Sequence, residues 1–360
     1  TVTPNAGNCP GAPFQVNITI NPTPDILDIN EFSCSGVPFN ISPSSGIIPN
    51  GTTYDWNVPT YGPDLSGGSS NSNQNTIFGQ LISNTNTDQI ANYSVIPTSS
   101  LGCEGESFDI QMTIHPMPIV QDINEIYCGN DNIVILPLDN SPSEIIPNNI
   151  LFGWTVTNVD PGLTSYSELN NQPNFNQNIT NNTNIIQSIQ YNLIPTTPYG
   201  CVGNNFFIDI DIKPIPTTDP VSNQTWCALY NTNTVSFSGN IVGTTYNWTN
   251  DNPSIGLSSV GIGDIISFMS INNSQIVQVA TINITPTFNG CTGINTQYNY
   301  SIQPLPISNF AIPALGCTDV ALPIINNAQF ANQYDWYFDG SFNTSALNPS
   351  IIIQDTGSYV

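Results

Sequence analysis

Apolar and polar residues alternate along much of this chain with a period of two. In Ser107-Phe108-Asp109-Ile110-Gln111-Met112-Thr113-Ile114, four large apolar side chains share one face and polar ones the other. Phe206 to Ile212 repeats the pattern, with Ile208, Ile210 and Ile212 aligned. Successive side chains of a strand point to opposite faces, so each run predicts a strand with one side in a core. Turn-forming residues interrupt the runs at intervals of about 8–12 positions, the spacing of antiparallel sandwiches. No stretch carries an apolar i, i+3, i+4, i+7 stripe with caps, so almost no helix is expected.

The runs belong to a longer repeat. A strand followed by Pro-x-Pro recurs at Pro22-Thr23-Pro24, Pro116-Met117-Pro118, Pro214-Ile215-Pro216 and Pro304-Leu305-Pro306, in steps of 94, 98 and 90 residues. Ahead of each lies a cysteine hairpin: Asn8-Cys9-Pro10-Gly11, Gly102-Cys103-Glu104-Gly105, Gly200-Cys201-Val202-Gly203 and Gly290-Cys291-Thr292-Gly293. After each comes another cysteine, Cys34, Cys128, Cys227 or Cys317, and then a tryptophan, Trp56, Trp154, Trp248 or Trp336. Landmarks repeated in one order predict a tandem array of β-sandwich modules. The expected organisation is 1–23 as the last strands of a split module, sandwiches at 24–116, 117–215 and 216–305, and 306–360 as the first part of a further module. The Pro-x-Pro junctions fix the exit direction of each last strand, which predicts an elongated rod.

Joined tail to head, Gly357-Ser358-Tyr359-Val360 and Thr1-Val2-Thr3-Pro4 read like Tyr93 to Pro97, so the two ends look like complementary halves of one module. Excision from a longer array and head-to-tail polymerisation by strand complementation both fit. The mass of the mature chain would distinguish them.

Composition narrows the function. The chain of 360 residues has 39% hydrophobic and 10% aromatic residues, enough for real cores and too many for a disordered acidic chain. Charged residues are only 7%, and the net charge of −24 arises because Lys213 is the only basic side chain besides His115. Nucleic-acid binding, phosphoryl transfer and arginine clamps need the bases that are missing. With one histidine and no preferred carboxylate pair, an enzyme is not expected. No apolar run of 18 residues occurs, so no membrane insertion is expected, and any signal peptide is expected to be gone. Eight cysteines without a Cys-x-x-Cys pattern point to disulfides in an oxidising, extracellular compartment rather than to zinc.

The last module reads Tyr334-Asp335-Trp336-Tyr337-Phe338-Asp339-Gly340-Ser341, then Asp355-Thr356-Gly357-Ser358-Tyr359-Val360. This resembles the polycystic-kidney-disease (PKD) domain, in which Trp-x-Phe-x-Asp-Gly precedes a Gly-x-Tyr strand. The other modules keep the tryptophan and lose Phe-x-Asp-Gly, and so resemble divergent PKD-like or Ig-like domains. Tandem modules with Gly-Cys hairpins and Pro-x-Pro junctions also resemble the giant surface adhesins of gliding Bacteroidetes. That resemblance implies type IX secretion, the bacterial cell surface as location, and outer-membrane secretion and motility machinery as partners. It brings no catalytic residues.

Individual residues follow from these frames. Trp56, Trp154, Trp248 and Trp336 recur at one module position and are expected in cores. Trp226 falls outside that position and is the better surface candidate, with packing beside a disulfide as its plainer role. The disulfide pairing stays open: pairing across each Pro-x-Pro would close loops of 25–26 residues and leave no cysteine over. Pairing within modules gives Cys34–Cys103, Cys128–Cys201 and Cys227–Cys291, leaving Cys9 and Cys317 to a split module, and is the expectation. Because the two cysteine loops lie at opposite ends of a sandwich, a link between neighbouring modules such as Cys34–Cys201 is also geometrically open. Calcium needs six to eight oxygens; Asp335, Asp339 and Asp355 are candidates through the PKD resemblance, with Asp209, Asp211, Glu104 and Glu106 weaker, and no cofactor is otherwise expected. His115 and Lys213 occupy corresponding places before Pro-x-Pro and are expected to be solvated. Asn17, Asn40, Asn92, Asn178, Asn247 and Asn283 begin Asn-x-Ser/Thr triplets, which arise by chance in a chain so rich in these residues.

The sequence thus predicts an all-β tandem array of Ig-like/PKD-like sandwiches, the stalk or adhesive segment of a large secreted adhesin. Its expected partners are an extracellular surface or polysaccharide and neighbouring repeats. The rival readings are passive spacer modules of a secreted glycan-degrading enzyme and a self-assembling filament subunit.

Overall fold

In the computed structural model, which describes residues 1–314, 316–338 and 341–354, the chain divides into two compact units. One holds residues 1–182 with 186–212, the other 183–185 with 213–360.

The first unit contains two sandwiches of one design. In the first, Ile29–Cys34 (β1), Thr53–Trp56 (β2), Gln89–Thr98 (β3) and Phe108–His115 (β4) form a sheet in the order β2-β3-β4-β1. In the second, Ile123–Cys128 (β5), Leu151–Val159 (β6), Gln187–Thr196 (β7) and Phe206–Lys213 (β8) follow the same order, β6-β7-β8-β5. The alternating runs supply the buried face: Ala91, Tyr93 and Val95 pair across β3 and β4 with Phe108, Ile110 and Met112. They pack against Ile41, Leu65, Ile77 and Leu81 from short ladders of the opposite layer, such as Phe39–Ile41 with Ile77–Gly79. The core of the second sandwich repeats this with Ile189, Tyr191 and Leu193 against Ile133, Leu163 and Phe175. The second unit contains a third sandwich, with Gln224–Cys227 (β9), Thr245–Asn250 (β10), Gln278–Phe288 (β11) and Thr296–Gln303 (β12) in the order β9-β12-β11-β10. Its own core gathers Ile282, Ile284, Tyr298, Tyr300 and Ile302. The one helical element among the described residues is a single 3-10 turn, Pro253–Ile255.

The sheets are mixed rather than purely antiparallel as the alternation suggested. β1 pairs parallel to β4, Ile110 opposite Ile29 and His115 opposite Cys34, and β9 pairs parallel to β12. Most of a module separates these partners in sequence, so no hairpin forces them antiparallel. A side-chain acceptor seeds the contact each time: Asp28 takes the Asp109 N–H (2.8 Å), Asp122 that of Phe207 (2.7 Å) and Asn223 that of Asn299 (2.9 Å).

The Gly-Cys-x-Gly landmark has two backbone causes. Gly102, Gly200 and Gly290 sit at φ of 82°, 84° and 86°, the left-handed region a Cβ disfavours. Gly105, Gly203 and Gly293 lie so close to the carbonyls of Pro24, Pro118 and Pro216 that a Cβ would collide with backbone. The second proline of each Pro-x-Pro is thereby held against the hairpin of the module it begins.

Residues 306–354 form short ladders, Phe310–Ala311 with Ile325–Asn326 and Ala321–Pro323 with Ser350–Ile352. Near the other end, Val16, Ile18 and Ile20 alternate like Ile110, Met112 and Ile114, yet are 53%, 79% and 89% exposed.

Buried tyrosines impose an alkaline limit. Burial, and then the neighbouring Tyr61, push the Tyr93 phenol up to about 12, and burial drives Tyr191 and Tyr298 upward too. An unfolded tyrosine titrates near ~10. The folded chain holds the neutral phenols, so this stability is complete below pH ~10 and drains away as the pH climbs toward 12 and beyond. Thermal melts should be level up to pH ~9 and fall steeply above ~10. Tyr191→Phe, whose hydroxyl has no hydrogen-bond partner, should hold its neutral melting temperature and flatten the alkaline fall.

Candidate functional site

The cysteines define the site. Cys34, at the end of β1, is bonded to Cys201 in the last hairpin of the following sandwich, with Cα atoms 5.6 Å apart. The within-module pairing is therefore overturned: Cys103 and Cys227 are free thiols, as are Cys9 and Cys317. Cys128 and Cys291 are also disulfide-bonded. Strand geometry explains the outcome. Cys34 is level with His115 at one end of β4, while Cys103 lies in the hairpin preceding its other end. Eight residues at about 3.3 Å each put them on the order of 25 Å apart, far beyond the ~7 Å reach of a disulfide.

Other side chains converge on this junction. His115 is buried, its ring stacked on Tyr199 of the second sandwich at 3.7 Å and 5°, with Phe32 on another side at 5.6 Å. Its Nδ1 lies 2.8 Å from Asp88 Oδ1. The solvated position expected for His115 is thus corrected: the next module's hairpin covers the ring. Lys213, at the place of His115 one repeat later, donates from Nζ to the carbonyl of Asn289, which holds the place of Tyr199 (3.0 Å). Beside the stapled junction a cleft of about 360 Å³ is lined by Asp88, Pro116, Asn148, Asn149, Thr197 and Tyr199 among others. Its walls are prolines, amides, threonine hydroxyls, the Tyr199 ring and one carboxylate.

The recurring tryptophans are structural. Trp56, Trp154 and Trp248 are buried, and each donates its indole N–H to a carbonyl, of Ser69 (2.9 Å), Ser167 (2.9 Å) and Gly263 (3.1 Å). Trp336 makes the same bond to Ala346 (2.9 Å) while half-buried. Trp226 packs partly buried against the third core, and its neighbour Cys227 is a free thiol, so it flanks no disulfide.

The carboxylates are spent on hydrogen bonds. Asp209 accepts from Gln190 (2.8 Å), Asp211 from Ser188 (2.6 Å) and Asp335 from Ser345 (2.7 Å). Asp339 and Asp355 lie outside the described residues. Among the described residues no three His, Cys, Asp or Glu side chains cluster as metal ligands, and no helix is long and apolar enough to cross a membrane.

The PKD-like domain family matches residues 31–118 and 138–216, within two of the three modules that keep the tryptophan but lack the Phe338-Asp339-Gly340 element. No curated protein matches the chain. Among solved structures, a titin I-band fragment, I67–I69, is 10% identical at a TM-score of 0.30, covering 79% of this chain and 96% of its own. The insect immune protein hemolin is 11% identical at 0.26, covering 85% and 84%. The human desmocollin-1 ectodomain is 10% identical at 0.27, covering 93% and 74%. The architecture is a tandem of Ig-like/PKD-like sandwiches.

Proposed function

We propose that this chain is the repetitive stalk or adhesive segment of a large, secreted cell-surface adhesin of a gliding bacterium. The observation that carries the reading is the junction disulfide: Cys34–Cys201 welds one module to the next instead of closing a module on itself. Such a link adds nothing to chemistry in a pocket but transmits tension from bead to bead. The stacked His115–Tyr199 pair and the proline junction serve the same end by filling the joint. Stability in such an array is roughly a sum over beads and joints. Export by type IX secretion and work with the gliding machinery rest on the landmark resemblance.

The outward sheet faces suit a neutral, hydroxyl-rich partner. A shallow cleft of about 210 Å³ on the second sandwich is lined by Asn170, Asn171 and Asn192 with Thr155 and Thr196. Amides donate and accept to polysaccharide hydroxyls without needing charge. The test is an in-frame deletion of the array in the producing bacterium, scored for attachment to polysaccharide-coated glass and for gliding. Loss of attachment with the remaining protein still exported is expected; undiminished attachment would make the segment a passive spacer.

A further inference from the structure

We propose that Cys103 and Cys227 are the open halves of two more module-to-module staples. Cys103 takes a first-loop cysteine from a preceding module, and Cys227 a hairpin cysteine from a following one. In a solution of this chain that module belongs to a second copy, so Cys227 bonds Cys9 of the neighbour and Cys103 bonds Cys317 of the other neighbour.

The warrant is that both free thiols sit in frames already formed as in the bonded pair. Around Cys201, Thr197 N–H bonds the Cys201 carbonyl (2.9 Å), Thr197 Oγ1 accepts the Cys201 N–H (3.1 Å), and Gly203 N–H bonds the Pro195 carbonyl (2.9 Å). Around Cys103 the same three bonds are made by Ser99 N–H (2.9 Å), Ser99 Oγ (3.0 Å) and Gly105 N–H to Pro97 (2.9 Å). The first-loop side agrees as well. After Cys34, Ser35 N–H bonds the His115 carbonyl and Gly36 N–H that of Leu81, both at 2.8 Å, with Gly36 at φ 75°. After Cys227, Ala228 N–H bonds the Gln303 carbonyl (3.0 Å) and Leu229 N–H that of Ser270 (2.8 Å), with Leu229 at φ 65°. Leucine pays a steric penalty there that glycine does not, so the tertiary bonds hold the turn in the staple conformation.

Exposure marks the same two places as uncovered joints. Cys201 is 1% exposed under its neighbour, whereas Cys103 is half-buried and Cys227 exposed. Leu101, at the place of Tyr199 in the filled joint, is 68% exposed, and Leu229 and Tyr230 beside Cys227 are 61% and 62% exposed.

The polarity of the staple selects the partners. It runs from a first-loop cysteine to the hairpin cysteine one module on, so Cys103 cannot pair with Cys9, nor Cys227 with Cys317. The free hairpin cysteine left for Cys227 is Cys9, whose hairpin keeps the Gly11 N–H bond to Pro4 (2.7 Å). The free first-loop cysteine left for Cys103 is Cys317, followed by Asp319 at φ 60°. Closing each staple is a two-electron oxidation needing a disulfide oxidant. With glutathione disulfide, one thiolate attacks a sulfur and expels glutathione thiolate, and the second cysteine thiolate then displaces the other. One protein disulfide forms, two glutathiones are released, and the two cysteine protons pass to them.

The proposal deepens the reading of a repeated shaft, and its test runs on purified chain, apart from attachment by cells. The full chain is incubated in a glutathione redox buffer, then examined by non-reducing gel and peptide mapping. Covalent multiples of 38.9 kDa containing Cys227–Cys9 and Cys103–Cys317 peptides are expected, with Cys34–Cys201 intact. Cys103→Ser with Cys227→Ser should abolish the ladder while the single variants retain it. A monomer whose four free thiols all alkylate would overturn the proposal, as would links joining like cysteines or joining Cys9 to Cys103.

Discussion

Replacing Trp154 with alanine should lower the stability of the second sandwich by about 3–5 kcal/mol, the range for deleting a buried large aromatic. The ring is 2% exposed, meets Phe175 at a centroid distance of 5.1 Å, and anchors its N–H on Ser167. Removing it opens a cavity between two layers and takes one of two donors from the Ser167 carbonyl, the Gln177 amide at 3.1 Å remaining. The opposite layer consists of ladders as short as Leu163–Thr164 with Thr180–Asn181, which lack the backbone bonds to stand alone. A domain of this size shifts its melting temperature by about 4–8 °C per kcal/mol, so a fall of roughly 12–40 °C is expected in calorimetry. Trp154→Phe should recover most of the packing but not the hydrogen bond. Trp336→Ala should cost far less, because that ring is only half-buried while keeping the same bond to Ala346. Equal losses at the two positions would contradict the assignment of the recurring tryptophan as a core element.

The features legible in the sequence were those written with a period. Alternation in 107–114 and 206–212 named the buried faces of β4 and β8, and recurrence of one tryptophan per repeat pointed to Trp154 as a core residue. What stayed hidden depended on direction and on neighbours. Alternation carries no sign of strand polarity, so the parallel pairing of β1 with β4 was invisible. The seeding acceptors, Asp28, Asp122 and Asn223, read as ordinary surface residues. The His115 environment was equally hidden, since its cover, Tyr199, lies 84 positions away in another module. Disulfide connectivity followed from the length of β4: the ends of an eight-residue strand cannot be bridged, so Cys34 looks outward to the next bead.

Cutting the staple should be the largest perturbation of all at the first junction. Suppose the second sandwich unfolds while the first stays folded. With Cys34–Cys201 intact, the unfolded segment remains tethered at both ends to the folded bead, from the Pro116 junction and from Cys34. The closed loop holds on the order of 85 residues, and in the chain-entropy model such a loop stabilises the folded module by about 4–5 kcal/mol. The same holds in reverse for the first sandwich, whose unfolded chain would be tethered between Cys34 and the proline junction. One bond thus raises the stability of two beads and couples their unfolding. Cys34→Ser with Cys201→Ser should lower both transitions by roughly 16–40 °C and reduce their coincidence in calorimetry. Reductant should reproduce the effect in the native chain and add little to the variant at this junction. Cys103→Ser and Cys227→Ser, which remove thiols already free in the monomer, should leave the monomer's melt in place. The joint contributes packing as well, so Tyr199→Ala with the staple intact separates the terms. It removes the His115 stack while the tether stays closed, and should cost only the ~1 kcal/mol of an aromatic pair. If instead Tyr199→Ala matched the double serine variant, the joint would be held by packing, and the disulfide would be incidental to the coupling of the two beads.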